Sequence, residues 1–92
     1  MSSTKFELGR TVITPAARDA LGEDESTVLH LLARHARGDW GDLCEEDVEV
    51  NEIALRADLR LFSSYNLPDE LVIWIITEAD RSVTTVLLPS DY

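Results

Sequence analysis

Cysteine, basic residues and long apolar runs are what this chain has least of. Its 92 residues include one cysteine, Cys44, so no disulfide can close within the chain, and a reducing, cytoplasmic setting fits. Eight Lys and Arg stand against eighteen Asp and Glu, a formal charge of −10. Direct nucleic-acid binding needs a basic footprint, and this composition is its opposite; an acidic surface is steered towards basic partners. No apolar run reaches the ~18 residues of a membrane span, and the opening MSSTKFELG carries no apolar signal-peptide stretch. No membrane partner is therefore expected. A glycine-rich phosphate loop, a nucleophile motif and a metal signature are also missing, so the expectation is a non-enzymatic protein without a cofactor. His30 and His35 lie five positions apart, about 140° round a helix. They share no face, which argues against a metal pair, and each is expected at the core edge or in solvent.

The strongest pattern present is Leu71–Leu88, LVIWIITEADRSVTTVLL. It reads as two strands joined by a charged turn, the first apolar at both parities and so expected to be covered at least partly on both faces. Pro89 ends the second strand, since it cannot donate to a ladder. Ahead of this hairpin, Phe6–Ile13 predicts a first strand with Gly9 as a bend. Thr14-Pro15 predicts a helix start and Gly22 its stop. The acids Glu23, Asp24 and Glu25 suit the entrance to the next helix. Ser26–Arg37 carries an apolar stripe of Val28, Leu31, Leu32, His35 and Ala36. Leu43–Ala57 predicts a third helix with Cys44, Val48, Asn51 and Leu55 inward, widened by Ile53, Ala54 and Ala57; Asn51 would then need hydrogen-bond partners. Leu59–Leu67 reads as a strand, and Asn66–Glu70 as the turn into the hairpin. The pattern predicts one α+β domain over residues 1–92, β-α-α-α-β-β-β: an antiparallel sheet of three to four strands with two to three helices packed on one face.

Between Asp39 and Glu52 the chain carries Asp39, Asp42, Glu45, Glu46, Asp47, Glu49 and Glu52 and no base. Three explanations compete: a solvated helix whose first turn favours acids, a surface imitating phosphate spacing, and a divalent-metal site. The segment fails the calcium-loop template. Trp40, set between two glycines in GDWGD, is either a lid over the core or an exposed anchor for a partner. At the hairpin tip, Glu78, Asp80 and Arg81 could supply an acid, a base and an anion clamp, but such turns are more often held by their own Asp and Ser side chains.

Two segments, GDWGDLCEED extended to Asn51 (Gly38–Asn51) and WIITEADRSVTTVLLPSDY (Trp74–Tyr92), resemble a family of small uncharacterised bacterial proteins met on plasmids, prophages and other mobile elements. Some of these carry labels linked to restriction–modification. The resemblance implies no catalytic residue. It implies a role in the conflict between mobile DNA and host defence, where small acidic inhibitors of the anti-CRISPR, anti-restriction or DNA-mimic kind occur.

The leading expectation is an acidic interaction module. Asp39, Asp42, Glu45, Glu46, Asp47, Glu49 and Glu52 would meet the basic groove of a nucleic-acid-binding protein, with Trp40 as the apolar anchor and Asp80 and Arg81 as a second contact. The alternatives are a ligand-binding or catalytic domain using Asn51, Glu78, Asp80 and Arg81, with a pocket joining the hairpin tip to the third helix, and a structural homodimer pairing edge strands. Monomer and homodimer both remain open.

Overall fold

The computed structural model describes residues 4–22 and 25–92; Glu23 and Asp24, expected at a helix entrance, lie outside them. The elements follow the order β1 (Arg10–Ile13), α1 (Pro15–Leu21), α2 (Glu25–Ala36), α3 (Glu45–Ala57), β2 (Leu61–Leu67), β3 (Leu71–Thr77) and β4 (Val83–Leu87), with short 3-10 turns at Pro68–Glu70 and Pro89–Asp91. This is an α+β fold with a four-stranded sheet. Among the described residues no helix is long and apolar enough to cross a membrane.

The sheet order is β1-β4-β3-β2. β2, β3 and β4 form an antiparallel meander, whereas β1 runs parallel to β4, Arg10 opposite Val83 and Ile13 opposite Val86. The sheet is thus mixed, not purely antiparallel as expected. Parallel neighbours need a long crossover, and the three helices supply it, carrying the chain from one sheet edge to the other. β1 is also shorter than the expected Phe6–Ile13. Gly9 has φ +66°, and a Cβ there would stand 2.4 Å from the carbonyl oxygens of Arg81 and Ser82. The chain bends at this point, so residues 4–8 leave the sheet: the Lys5 N–H donates to the Ala36 carbonyl at 2.7 Å, and Phe6 stacks on Trp40.

The starts of α1 and α3 follow from their local chemistry. Thr14 accepts the Ala17 N–H at 3.2 Å and Pro15 occupies the first helical position, as the sequence predicts; Gly22 closes α1 at φ 73° and ψ −157°, a glycine conformation outside the left-handed helical cap expected of it. α2 buries Leu31, Leu32, His35 and Ala36, the expected stripe. α3 begins two residues later than predicted. Cys44 is its N-cap, with extended backbone at φ −69° and ψ 163°, so the thiol leaves the inward stripe and is exposed. The inward face is Asn51 and Ala54, flanked by Val48 and Leu55, while Ile53 and Ala57 point to solvent instead of widening it.

The helices pack on one sheet face. Leu31 and Leu32 meet Tyr65, Ile73, Ile75 and Val86, while Ala54 meets Leu61 and Trp40. The opposite face carries Phe62, Trp74, Ile76, Leu87, Val12 and Thr85, with Arg60, Glu78 and Arg10 in a row at one end by register. No helix covers it. Its cover comes from its own rings: Phe62 meets Trp74 edge-on at 4.9 Å, and Tyr92 meets Trp74 at 5.8 Å. The two-sided apolar parity of β3 is therefore met by helices on one side and by aromatic side chains on the other.

Candidate functional site

The segment from Asp39 to Glu52 divides into residues that hold the fold and residues that face solvent. Asp39 forms an ion pair with Arg34 at 2.7 Å and accepts the Gly41 N–H. That hydrogen bond to Arg34 holds the Asp39 carboxyl below the usual carboxylate range and raises the Arg34 guanidinium. Asp42 accepts the Asn66 N–H at 2.8 Å. Trp40 is 3% exposed, and its indole N–H donates to Glu52 at 2.8 Å. Trp40 is the lid over the core, packed against Phe6 and His35, and does not stand out as a surface anchor. Gly41 passes so close to β2 that a Cβ would lie 2.1 Å from the Ser64 carbonyl oxygen.

This loop and Asn51 together close the outer edge of β2. Asn51 donates to the Phe62 carbonyl at 2.5 Å and accepts the Phe62 N–H at 3.1 Å. The Ser64 N–H donates to the Trp40 carbonyl and the Asp42 N–H to the Ser64 carbonyl. The hydrogen-bond partners that sequence demanded of a semi-buried Asn51 are thus the backbone of an edge strand.

Glu45, Glu46, Asp47 and Glu49 remain. All four are exposed, and none belongs to the two ion pairs of the described residues, Arg34–Asp39 and Arg60–Glu78. Glu46, Glu49, Val50 and Ile53 follow helical spacing on the outer side of α3. Val50 is 62% and Ile53 56% exposed, so the acids surround an apolar strip that no other element covers. Neither Val50 nor Ile53 was among the expected partner-binding residues. Val50 lies about 100° and Ile53 about 200° round the helix from Asn51, and the sequence pattern counts Ile53 as widening the inward stripe.

At the hairpin tip Arg81 is a staple. It sits at φ 62° and donates to the carbonyls of Leu59, Glu78, Ala79 and Ala54, tying the turn to the end of α3. Asp80 accepts the N–H and hydroxyl of Ser82, which hold its carboxyl below the usual range. The turn is held by its own side chains, and among the described residues neither the pocket on the sheet face nor the hollow along α2 is lined by the turn or by α3.

A polar chain crosses the core. Thr84 donates to the Leu8 carbonyl, so at the Thr77–Thr84 contact of 2.7 Å Thr77 is the donor. Thr77 must then accept from His35 Nε2–H, and His35 Nδ1 accepts from the Ser63 hydroxyl. The imidazole is neutral, its pKa lowered to about 3 by burial first and by the charge of Arg81 second. Ser63 beside His35 has the look of a nucleophile and its base. Both are fully buried, so the pair is a structural bridge between α2 and the sheet. The expectation of a core-edge or solvated histidine fails for His35. Burial likewise pushes the Tyr65 hydroxyl up to about 12; it donates to the Asp39 carbonyl at 2.7 Å. Among the described residues no three His, Cys, Asp or Glu side chains are grouped to hold a metal ion.

A concave feature lies on the sheet's open face, where Arg60, Phe62, Trp74, Ile76 and Tyr92 line a pocket of about 280 Å³; a larger, shallower hollow of about 540 Å³ lies along α2, beside His30, Leu31, Arg34 and Leu67. Sequence reading missed the sheet-face pocket, because its walls come from β2 and the residue before it, from β3 and from Tyr92 after the turn at Pro89–Asp91, and only the folded sheet brings them together. Comparison with protein-family models, with curated proteins and with solved structures finds no match to this chain.

Proposed function

We propose that this protein is a non-enzymatic cytoplasmic interaction module whose α3 docks on the basic groove of a nucleic-acid-binding protein, as an inhibitor or modulator of a defence complex. The observation that carries the reading is the outer side of α3: four unpaired carboxylates, Glu45, Glu46, Asp47 and Glu49, around exposed Val50 and Ile53. Acids on a helix outside are ordinary, and they favour its N-terminal turn by a few tenths of a kcal/mol each. An apolar strip left bare among them is less ordinary, and it suits a partner contact with an apolar centre and a charged rim. Complementary charge adds on-rate and selectivity. The remaining expected contacts, Asp39, Trp40, Asp42, Glu52, Asp80 and Arg81, act here by holding α3 and the hairpin in place.

The test is affinity capture from a nuclease-treated host lysate, followed by binding measurements on the captured complex across a salt series. E45K/E46K/E49K should weaken binding about tenfold or more at physiological salt and abolish the gain in affinity as salt falls. V50S/I53S should weaken it with the salt dependence intact. Unchanged affinity in the charge-reversed variant would sink the reading.

A further inference from the structure

We propose that the pocket on the sheet's open face binds a small planar aromatic carboxylate. This site is separate from α3 and does not depend on the partner reading. Its shape selects a flat apolar body. Ile76, 5% exposed, forms the floor, and the rings of Phe62, Trp74 and Tyr92 stand as walls, near-perpendicular to one another at 86° and 71°. The volume of about 280 Å³ sits at the lower end of small-ligand sites and suits one or two fused rings.

Its polar atoms select the rest of the ligand. Arg60 Nη1 donates to the Tyr92 phenol oxygen at 2.9 Å. Its Nε forms an ion pair with Glu78 at 3.9 Å, beyond hydrogen-bond reach, and the hydrogen bond of Arg60 among the described residues is made by Nη1, so Nη2 is open to an acceptor. The Trp74 indole N–H has no acceptor among the described residues, in contrast to Trp40, which has Glu52. Tyr92 spends its oxygen on Arg60 and keeps its own O–H to donate. The lining side chains therefore offer donors and no carboxylate, the Glu78 acceptor beside Arg60 standing outside the lining. A ligand lacking acceptors would leave these groups unpaired, whereas a carboxylate meets the guanidinium fork in its preferred geometry. A cationic ligand is disfavoured because the Arg60 guanidinium already lies over the Tyr92 ring, 5.4 Å from its centroid, where a cation would stack. Locally the charge is complementary to an anion: the end row of this face holds Arg60 and Arg10 against Glu78 alone, in a protein of net −10.

The two tryptophans make the test direct, since each gives one indole N–H signal in a ¹⁵N-labelled sample. Benzoate and indole-3-carboxylate are titrated into the intact protein, with benzamide, indole and benzylamine as neutral and cationic controls. The expected result is a saturable shift of the Trp74 signal with Kd of about 0.1–1 mM, an unmoved Trp40 signal, and affinity at least about tenfold weaker in R60Q, a surface change that keeps the fold. W74L should abolish binding as read by shifts of the Ile76 and Phe62 amides. The proposal is overturned if no saturable shift occurs up to about 10 mM, if the controls bind as tightly as the carboxylates, or if R60Q binds unchanged. Shifts that follow protein concentration without any probe would overturn it too, and would assign the face to a second copy of the chain.

Discussion

His35 shows how a single buried side chain sets a pH window. Its pKa falls from the model-peptide 6.5 to about 3 in the fold, so between those values the unfolded chain takes up a proton that the native protein refuses. Stability is therefore complete above about pH 6.5 and is lost as pH falls towards 3, at up to about 1.4 kcal/mol per pH unit. Below about pH 4 the Asp39 carboxyl, held low by Arg34, adds a loss of the same sign. His35→Leu should cost about 1–3 kcal/mol at pH 7.5, because Ser63 and Thr77 lose their partner. It should also flatten the slope between pH 6.5 and 4. Urea unfolding at several pH values reads both; an unchanged slope would show that another group titrates there. The sequence placed His35 on the inward stripe of α2 but did not reveal its burial. Its partners Ser63 and Thr77 come from 28 and 42 residues away, beyond any local pattern.

At the level of elements, the helices were legible because their caps and stripes are local: Thr14-Pro15, Gly22 and Leu31–Leu32 each act within a turn. The sheet was legible in its strands but not in its edges. The sequence left open which strands form the edges; the structure puts β2 at one edge, where Asn51 copies a peptide group and occupies it. Asn51→Leu should thus cost about 2–4 kcal/mol by stranding the Phe62 N–H and C=O, a size readable by denaturant unfolding. It should also create concentration-dependent association, visible by light scattering, as the freed edge seeks a strand. A monomer of unchanged stability would mean that water replaces the amide without loss. Cys44 was misplaced for a simpler reason: a two-residue shift in where α3 starts rotates a side chain from core to cap.

For the whole molecule, charge is distributed unevenly. Carboxylates gather on the outer side of α3 and its approach, whereas the open sheet face is apolar and aromatic with Arg60 and Arg10 at its end. Composition alone showed the net −10 but not this division, which depends on β1 pairing with β4. Self-repulsion of the excess acid should make the fold salt-stabilised: raising NaCl from about 0.02 to 0.5 M should lift Tm by a few degrees. KCl should act equally in thermal melts, and a much larger effect of one cation would point to a specific ion site instead of screening.

The union of β1 with β4 also sets an order of events during synthesis. Leu8 and Thr84, joined through the Thr84 hydroxyl, are 76 residues apart in the chain. β1 and the three helices precede β2, β3 and β4 in the chain, and their apolar stripes must wait for those strands. The domain cannot close in halves; it is completed from its C-terminal end in one late, non-local step. Such a topology is slow to nucleate, and the exposed interval makes the nascent chain a client for holding factors until residue 87 has emerged.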